Sequence, residues 1–254
     1  MSRNFNDAVV GATGVVGSEM LRILEERAFP VGELRPFASA NSAGEFLEFG
    51  GVSVLVRELE EDAFAGIDIA LFAAPAEVSE AFCAVAAAAG AVCVDTSGIW
   101  SADPDVPLVI PGVNDADLAR FRARGIVACP GTATMQMALP LKALHEAGGV
   151  LRVVATTCHA VSGSGRQAVD ELRIQVGELL NGRPADASVF PHQIAFNCLP
   201  HVGHLAAGGD SGEELRSVDE LRRLLDAAGL GVAVTAVRVP VFYGDCASLN
   251  VELA

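Results

Sequence analysis

An apolar run at residues 8–12 leads straight into Gly11-Ala-Thr-Gly14-Val-Val-Gly17, and residues 15–27 then carry helical periodicity that stops before Pro30. A strand, a loop with three spaced glycines and a helix form a tightly constrained opening. Gly11 permits the sharp turn, Gly14 lets backbone N–H groups approach a pyrophosphate at the positive end of the helix, and Gly17 allows the helix to lie close on the strand. Position after a strand and before a helix turns a weak glycine pattern into a dinucleotide-loop signature. The candidate cofactor contacts in this loop are Gly11, Thr13, Gly14, Val15 and Val16.

The remainder of the first half keeps the same rhythm. Strand-like runs at residues 34–39, 52–57, 67–73, 91–95 and 109–110 alternate with helix-like runs at 79–89 and 115–124. Alternation of β and α with continuously apolar strands implies an α/β fold with a doubly wound, mostly parallel sheet. A second region starts near Pro130. It contains helical stretches at 134–147, 166–180 and 213–228, the last read as charged and exposed. Strands are expected at 151–160, 232–241 and 249–253, and a loop-like segment at 185–209. The organisation is therefore a dinucleotide-binding domain over residues 1–130 and an α+β substrate and dimerisation domain over 131–254. The second domain reads as incomplete, because residue 254 falls inside a strand.

Composition narrows the function classes. A formal net charge of −15 on 254 residues argues against nucleic acid and anionic membrane surfaces. With 51% hydrophobic and 19% charged residues, the chain has material for a large core and is not a disordered acidic one. The longest apolar stretch, residues 81–94, is too short to span a bilayer and is interrupted by Gly90. The N-terminal residues enter a strand with no room for a signal peptide, so the cytoplasm is the expected location. The 6 cysteines show no CxxC spacing. Neither a disulfide framework nor a zinc site built from Cys158, His159, His192, His201 and His204 is expected. Cys129 reads as a core thiol rather than a substitute nucleophile.

Further motifs stand in order: PFASANSAG (36–44), DPDVPLVIPGVN (103–114), ACPGTATMQM (128–137), HAVSGSG (159–165), VFPHQIAFN (189–197) and RVPVFYGD (238–245). With the glycine loop, they make the chain resemble the aspartate-β-semialdehyde dehydrogenase family over essentially its whole length. That resemblance implies reductive dephosphorylation of β-aspartyl phosphate through a thiolate nucleophile, an acid/base histidine and hydride from NADPH. It places the nucleophile at Thr132 and the acid/base at Asp245. The family's flanking asparagine falls at Gly131, its substrate-orienting glutamine at His159, its phosphate-binding arginine at Ser101 and a motif glutamate at Gly112. Arg238 keeps the place of the carboxylate-binding arginine. Glu213 and Arg216 keep the acid-x-x-base spacing found around the substrate, with Arg for Lys. On the cofactor side, the arginine for the 2′-phosphate falls at Asn41, beside Ser42 and close to Glu45. The loop beside the nicotinamide reads Ala73-Ala74-Pro75-Ala76, while Ser162 and Gly163 remain.

A threonine hydroxyl without a strong base is a poor nucleophile, and an aspartate of ordinary pKa is a weak base at neutral pH. The missing Cys/His pair aligns the chain with the USG-1-type paralogues, which share Gly-Asp at positions 244–245. The expected role is therefore a catalytically impaired binding or dimerisation protein, with NADP or NAD bound weakly if at all. A homodimer is expected, or a heterodimer with an active homologue. The alternative is an active NADP-dependent semialdehyde dehydrogenase of amino-acid biosynthesis with altered catalytic residues.

Overall fold

A computed structural model describes residues 3–254. The chain runs β1 (Phe5–Val10), α1 (Val15–Glu26), β2 (Val31–Ala38), β3 (Phe46–Phe49), β4 (Val52–Leu55), β5 (Arg57–Glu58), β6 (Ile69–Phe72), α2 (Ala76–Ala88) and β7 (Val92–Asp95). A 3-10 segment (Asp115–Ala123), β8 (Ile126–Ala128), α3 (Thr132–Gly148), β9 (Val150–His159) and a 3-10 turn (Val161–Ser164) come next. The chain closes with α4 (Arg166–Leu180), α5 (Gly212–Leu224), β10 (Gly231–Arg238) and β11 (Cys246–Leu253). Two compact units result: residues 1–109 with 114–130, and residues 110–113 with 131–254.

The first unit is built on a six-stranded sheet in the order β5-β2-β1-β6-β7-β8, with every pairing parallel. Strand order reverses between β1 and β6, so a crevice opens at their carboxyl ends, where the glycine loop sits. Val9, Ala12, Leu21 and Leu34 form one buried cluster between sheet and α1. Phe64 packs against both Phe37 and Phe72 at ring separations of 6.0 Å.

Two glycines in the loop have no tolerance for a side chain. Gly11 has φ +83°, and a Cβ there would lie 2.4 Å from the Ala73 carbonyl oxygen. A Cβ on Gly17 would lie 2.1 Å from the Gly11 carbonyl oxygen, an encounter of backbone with backbone that only a shift of α1 relieves. Gly17→Ala is therefore expected to lose about 1–3 kcal/mol of stability. A urea midpoint unchanged from the parent chain would show that α1 moves at no cost.

Several sequence expectations are corrected. The run at 109–110 is not a strand; Leu108 makes only an isolated bridge to Ala128, and the sixth strand is Ile126–Ala128. The run at 52–57 divides at buried Val56, because β4 turns back on β3 while β5 joins β2. Residues Asp115–Ala123 wind as a 3-10 rather than an α-helix, with none of their side chains buried. Cys129 is partly exposed rather than a core thiol.

In the second unit the three-stranded sheet has the order β10-β9-β11, β9 running parallel to β10 and antiparallel to β11. Val153, Ala155, Thr157 and His159 of β9 are buried on one face. α3 and α5 pack on the sheet. A capping box starts α5: the Glu214 N–H donates to the Ser211 hydroxyl, and the Ser211 N–H donates to the Glu214 carboxylate. The same carboxylate accepts the Ala236 N–H at 2.9 Å, tying helix start to β10. This helix is not the exposed element its charges suggest. Ser217, Glu220, Leu221 and Leu224 recur on one face and are buried.

Residues 185–209 carry no helix or strand, as expected, but they are firmly held. Buried Glu171 of α4 accepts the Ser188 N–H and hydroxyl at 2.8 and 2.7 Å, and the Phe190 N–H as well. The Gln175 carbonyl accepts the N–H groups of Ile194 and Ala195, both at 3.0 Å. Among the described residues, no helix is long and apolar enough to cross a membrane.

Candidate active site

Gly131 ends the approach to α3, and Thr132 opens the helix with no side-chain cap. The Thr132 hydroxyl donates to Asp245 Oδ2 at 2.7 Å. Asp245 arrives from the turn before β11, where Gly244 adopts φ +92°. The other carboxylate oxygen accepts the Ala160 N–H at 2.8 Å, and Gln136 Nε2 donates to the Asp245 backbone carbonyl at 3.2 Å. His159 Nδ1 faces Asp245 Oδ2 at 3.6 Å, an ion-pair distance rather than a hydrogen bond, while its Nε2 meets the Thr157 hydroxyl at 2.9 Å. Burial pushes the Asp245 carboxyl up, but His159, the Thr132 hydroxyl and the Ala160 N–H outweigh it and bring the pKa down to about 2. At neutral pH Asp245 is a fixed anion with both oxygens engaged.

Arg238 lies on the far side of the same segment. It is 7% exposed, donates from Nη1 to the Ala160 carbonyl at 2.6 Å and stacks its guanidinium 5.8 Å from the Phe190 ring centre. Burial lowers its pKa, with Asp245 and Glu213 pulling the other way; a guanidinium stays protonated regardless. A Cβ on Gly163 would come within 3.2 Å of Arg238 Nη1, so the Ser162-Gly163 turn closes over this cation.

A second cluster flanks Gly131. Arg216 Nη2 pairs with Glu213 Oε2 at 2.6 Å, and its Nε lies 3.8 Å from Glu220 Oε1. Glu220 Oε2 accepts the Gly131 N–H at 3.0 Å. Burial raises the Glu220 pKa, countered chiefly by Arg216. A Cβ at position 131 would stand 2.5 Å from Arg216 Nη2, so the missing side chain of Gly131 is the space the guanidinium fills. Glu220 was not among the sequence candidates. Its signal was the 217, 220, 221, 224 spacing, which puts a carboxylate on the buried stripe of an otherwise charged helix.

In the first unit, α1 begins after Gly14 with no side-chain cap, leaving its first-turn N–H groups for an anion. The close backbone packing at Gly11 and Gly17 sets α1 directly behind the loop, so its free N-terminus fits a pyrophosphate. The surroundings fit the rest of a dinucleotide less well. Asn41 is exposed, Ser42 lies in the same turn with its N–H on the Ser39 carbonyl, and neither brings a cation; Glu45 is an exposed carboxylate. Pro75 is the N-cap of α2 and offers no N–H beside Ala73 and Ala74. Ser101 belongs to this unit, where its hydroxyl donates to the Gly98 carbonyl at 2.8 Å. NADP is thus expected to bind no more tightly than NAD, since a charge-assisted contact worth about 1.5–3 kcal/mol is missing. Calorimetry giving NADP a tenfold advantage would refute this.

Known proteins bear out the architecture. Residues 6–121 match the semialdehyde dehydrogenase NAD-binding domain, and residues 141–254 match the semialdehyde dehydrogenase dimerisation domain. An aspartate-semialdehyde dehydrogenase of Legionella pneumophila is 43% identical over 253 residues, covering 100% of this chain and 73% of the relative. Aspartate-semialdehyde dehydrogenase 2 of Vibrio cholerae is 43% identical over 252 residues, covering 99% and 75%. The crystal structure of aspartate semialdehyde dehydrogenase II complexed with ASA from Vibrio cholerae superposes with a TM-score of 0.97 at 42% identity, over 99% of this chain and 75% of that one. With a dinucleotide-binding domain, a dimerisation domain and this identity along its length, the chain belongs to the aspartate-semialdehyde dehydrogenase family.

Proposed function

We propose that this chain is a catalytically impaired family member of USG-1 type, working as a dinucleotide-binding and dimerisation protein. The observation that carries the reading is the Thr132–Asp245 hydrogen bond of 2.7 Å. At the nucleophile position stands a hydroxyl, and its partner is a carboxylate whose pKa is held at about 2. Such a carboxylate has too little affinity for a proton to activate an alcohol at neutral pH. The neighbouring cations are already engaged: Arg216 with Glu213, and Arg238 with the Ala160 carbonyl. Phosphate and carboxylate groups of an aspartyl substrate would compete with three acids, Asp245, Glu213 and Glu220.

The bound dinucleotide would supply hydride chemistry, and the residues suited to hold it are Gly11, Thr13, Gly14, Val15 and Val16. The direct test is phosphate-dependent reduction of NADP by aspartate semialdehyde. No turnover is expected; measurable turnover in the unaltered protein sinks the reading. That outcome would favour the second reading, an active enzyme of amino-acid biosynthesis. It draws support from relatives at 43% identity being named aspartate-semialdehyde dehydrogenases.

The dimerisation-domain match supports self-association as the retained role, with pairing to an active homologue as its extension. A homodimer is expected by light scattering at micromolar concentration; a clean monomer there counts against it.

A further inference from the structure

The second unit brings together thiols that neither the fold nor the family reading uses. Cys158 near the end of β9 and Cys246 at the start of β11 are direct partners in an antiparallel ladder. The His159 carbonyl accepts from Val239 on the β10 side, so alternation turns the Cys158 backbone toward β11. That makes a hydrogen-bonded pair, whose Cα atoms stand about 5.5 Å apart. This spacing lies within the span a disulfide bridges, about 4.4–6.8 Å. Burial first, and then the neighbouring Cys246 thiol, raise the Cys158 pKa. Cys246 is exposed, Cys158 is partly exposed, and exposed Cys198 is near enough to add to the Cys158 shift. All three are free thiols.

We propose that Cys158 and Cys246 form a reversible oxidation site that closes as a cross-strand disulfide when the protein meets a peroxide. The exposed Cys246 sulfur, as thiolate, attacks the O–O bond. An S–O bond forms, the O–O bond breaks, and hydroxide leaves. Cys158 gives its proton to that hydroxide and attacks the sulfenic sulfur; the S–S bond forms and the S–O bond breaks. The departing hydroxide takes up the proton first lost by Cys246. Two thiols lose two electrons and one peroxide becomes two waters. Bonds of this exposed kind are reducible, which suits a switch rather than a permanent staple.

Placement gives the bond a consequence. Cys158 directly precedes His159, and Cys246 directly follows Asp245. A closed disulfide clamps the backbone pair from which both side chains extend. Cys83 and Cys93 form a built-in control: the Cys93 thiol donates to the Cys83 carbonyl at 3.3 Å, and both residues are fully buried.

The test is peptide mapping of the folded chain after limited hydrogen peroxide, with alkylation of remaining thiols. The expected product is the peptide 153–166 joined to the peptide beginning at Val239, lighter by two hydrogens and restored by a dithiol reductant. A Cys83–Cys93 link should appear only after unfolding. Cys198→Ser should leave the product unchanged, and Cys246→Ser should abolish it. As a measure that needs no variant, a trivalent phenylarsenical should consume two thiols of the native protein at one equivalent. A link from Cys158 to Cys198, a link between chains, or oxidation of single thiols without any linked peptide would each overturn the proposal.

Discussion

Thr132→Cys is expected to become alkylatable by iodoacetamide at position 132, beyond the exposed thiols of the parent chain, and to remain without aspartate-semialdehyde turnover. The substitution restores the atom that attacks but leaves its surroundings intact. Asp245, 2.7 Å from the Thr132 hydroxyl, stays anionic because His159 and the Ala160 N–H still hold its carboxyl low when that hydroxyl is gone. An anion beside a thiol raises the thiol pKa and reduces the thiolate that is the reactive species. The same carboxylate cannot serve as general base, a contribution typically worth about 10²–10⁴-fold. Ser101 brings no cation for a phosphate, and His159 is engaged with Thr157 and Asp245. Alkylation rates should rise from pH 7 to pH 10 with no plateau near neutrality. Turnover in the single variant would show that Asp245, Ser101 and His159 matter less than their chemistry implies. Turnover only in Thr132→Cys combined with Asp245→His would put the whole deficit in that pair.

The second large effect lies far from this chemistry. Asp7 sits in the middle of β1, 1% exposed, with no hydrogen-bond partner for either carboxylate oxygen. Burial, and secondarily the Asp68 charge, raises its pKa from 3.8 to about 6. A raised carboxyl pKa means that the folded state holds the proton more tightly than the unfolded one. The associated stability is complete below pH 3.8 and is lost as pH climbs through about 6. Asp7→Asn removes this titration. The variant's stability relative to the parent should therefore improve by about 2–3 kcal/mol between pH 4 and pH 8. Urea denaturation at several pH values reads this directly; parallel stability profiles would mean that Asp7 finds a partner or solvent when ionised.

The contrast between these residues shows what sequence carries. The glycine loop and the β–α alternation were legible because they rest on backbone geometry and apolar periodicity, which are local. β8 was not: Ile126–Ala128 is a three-residue run between Gly125 and Cys129-Pro130, and only pairing with β7 makes it a strand. β3 was missed beside Gly50-Gly51, since its alternation is carried by only four residues, all partly or fully exposed. At the site, Thr132, Asp245, His159 and Arg238 came from motif positions, and in the second unit they lie at the start of α3, just before β11, and at the ends of β9 and β10. What sequence could not give was their state: which oxygen accepts which proton, and that Arg216 is already held by Glu213. Glu220 and Asp7 escaped notice for one reason. A carboxylate in a short polar context reads as solvated until tertiary packing buries it.

The fit of Arg216 into the space above Gly131 also links two positions far apart in sequence. A side chain at position 131 meets the guanidinium at 2.5 Å, and that guanidinium is held by Glu213 at 2.6 Å. A side chain at position 131 therefore requires the guanidinium to swing aside or position 216 to shorten, which makes the two positions energetically coupled.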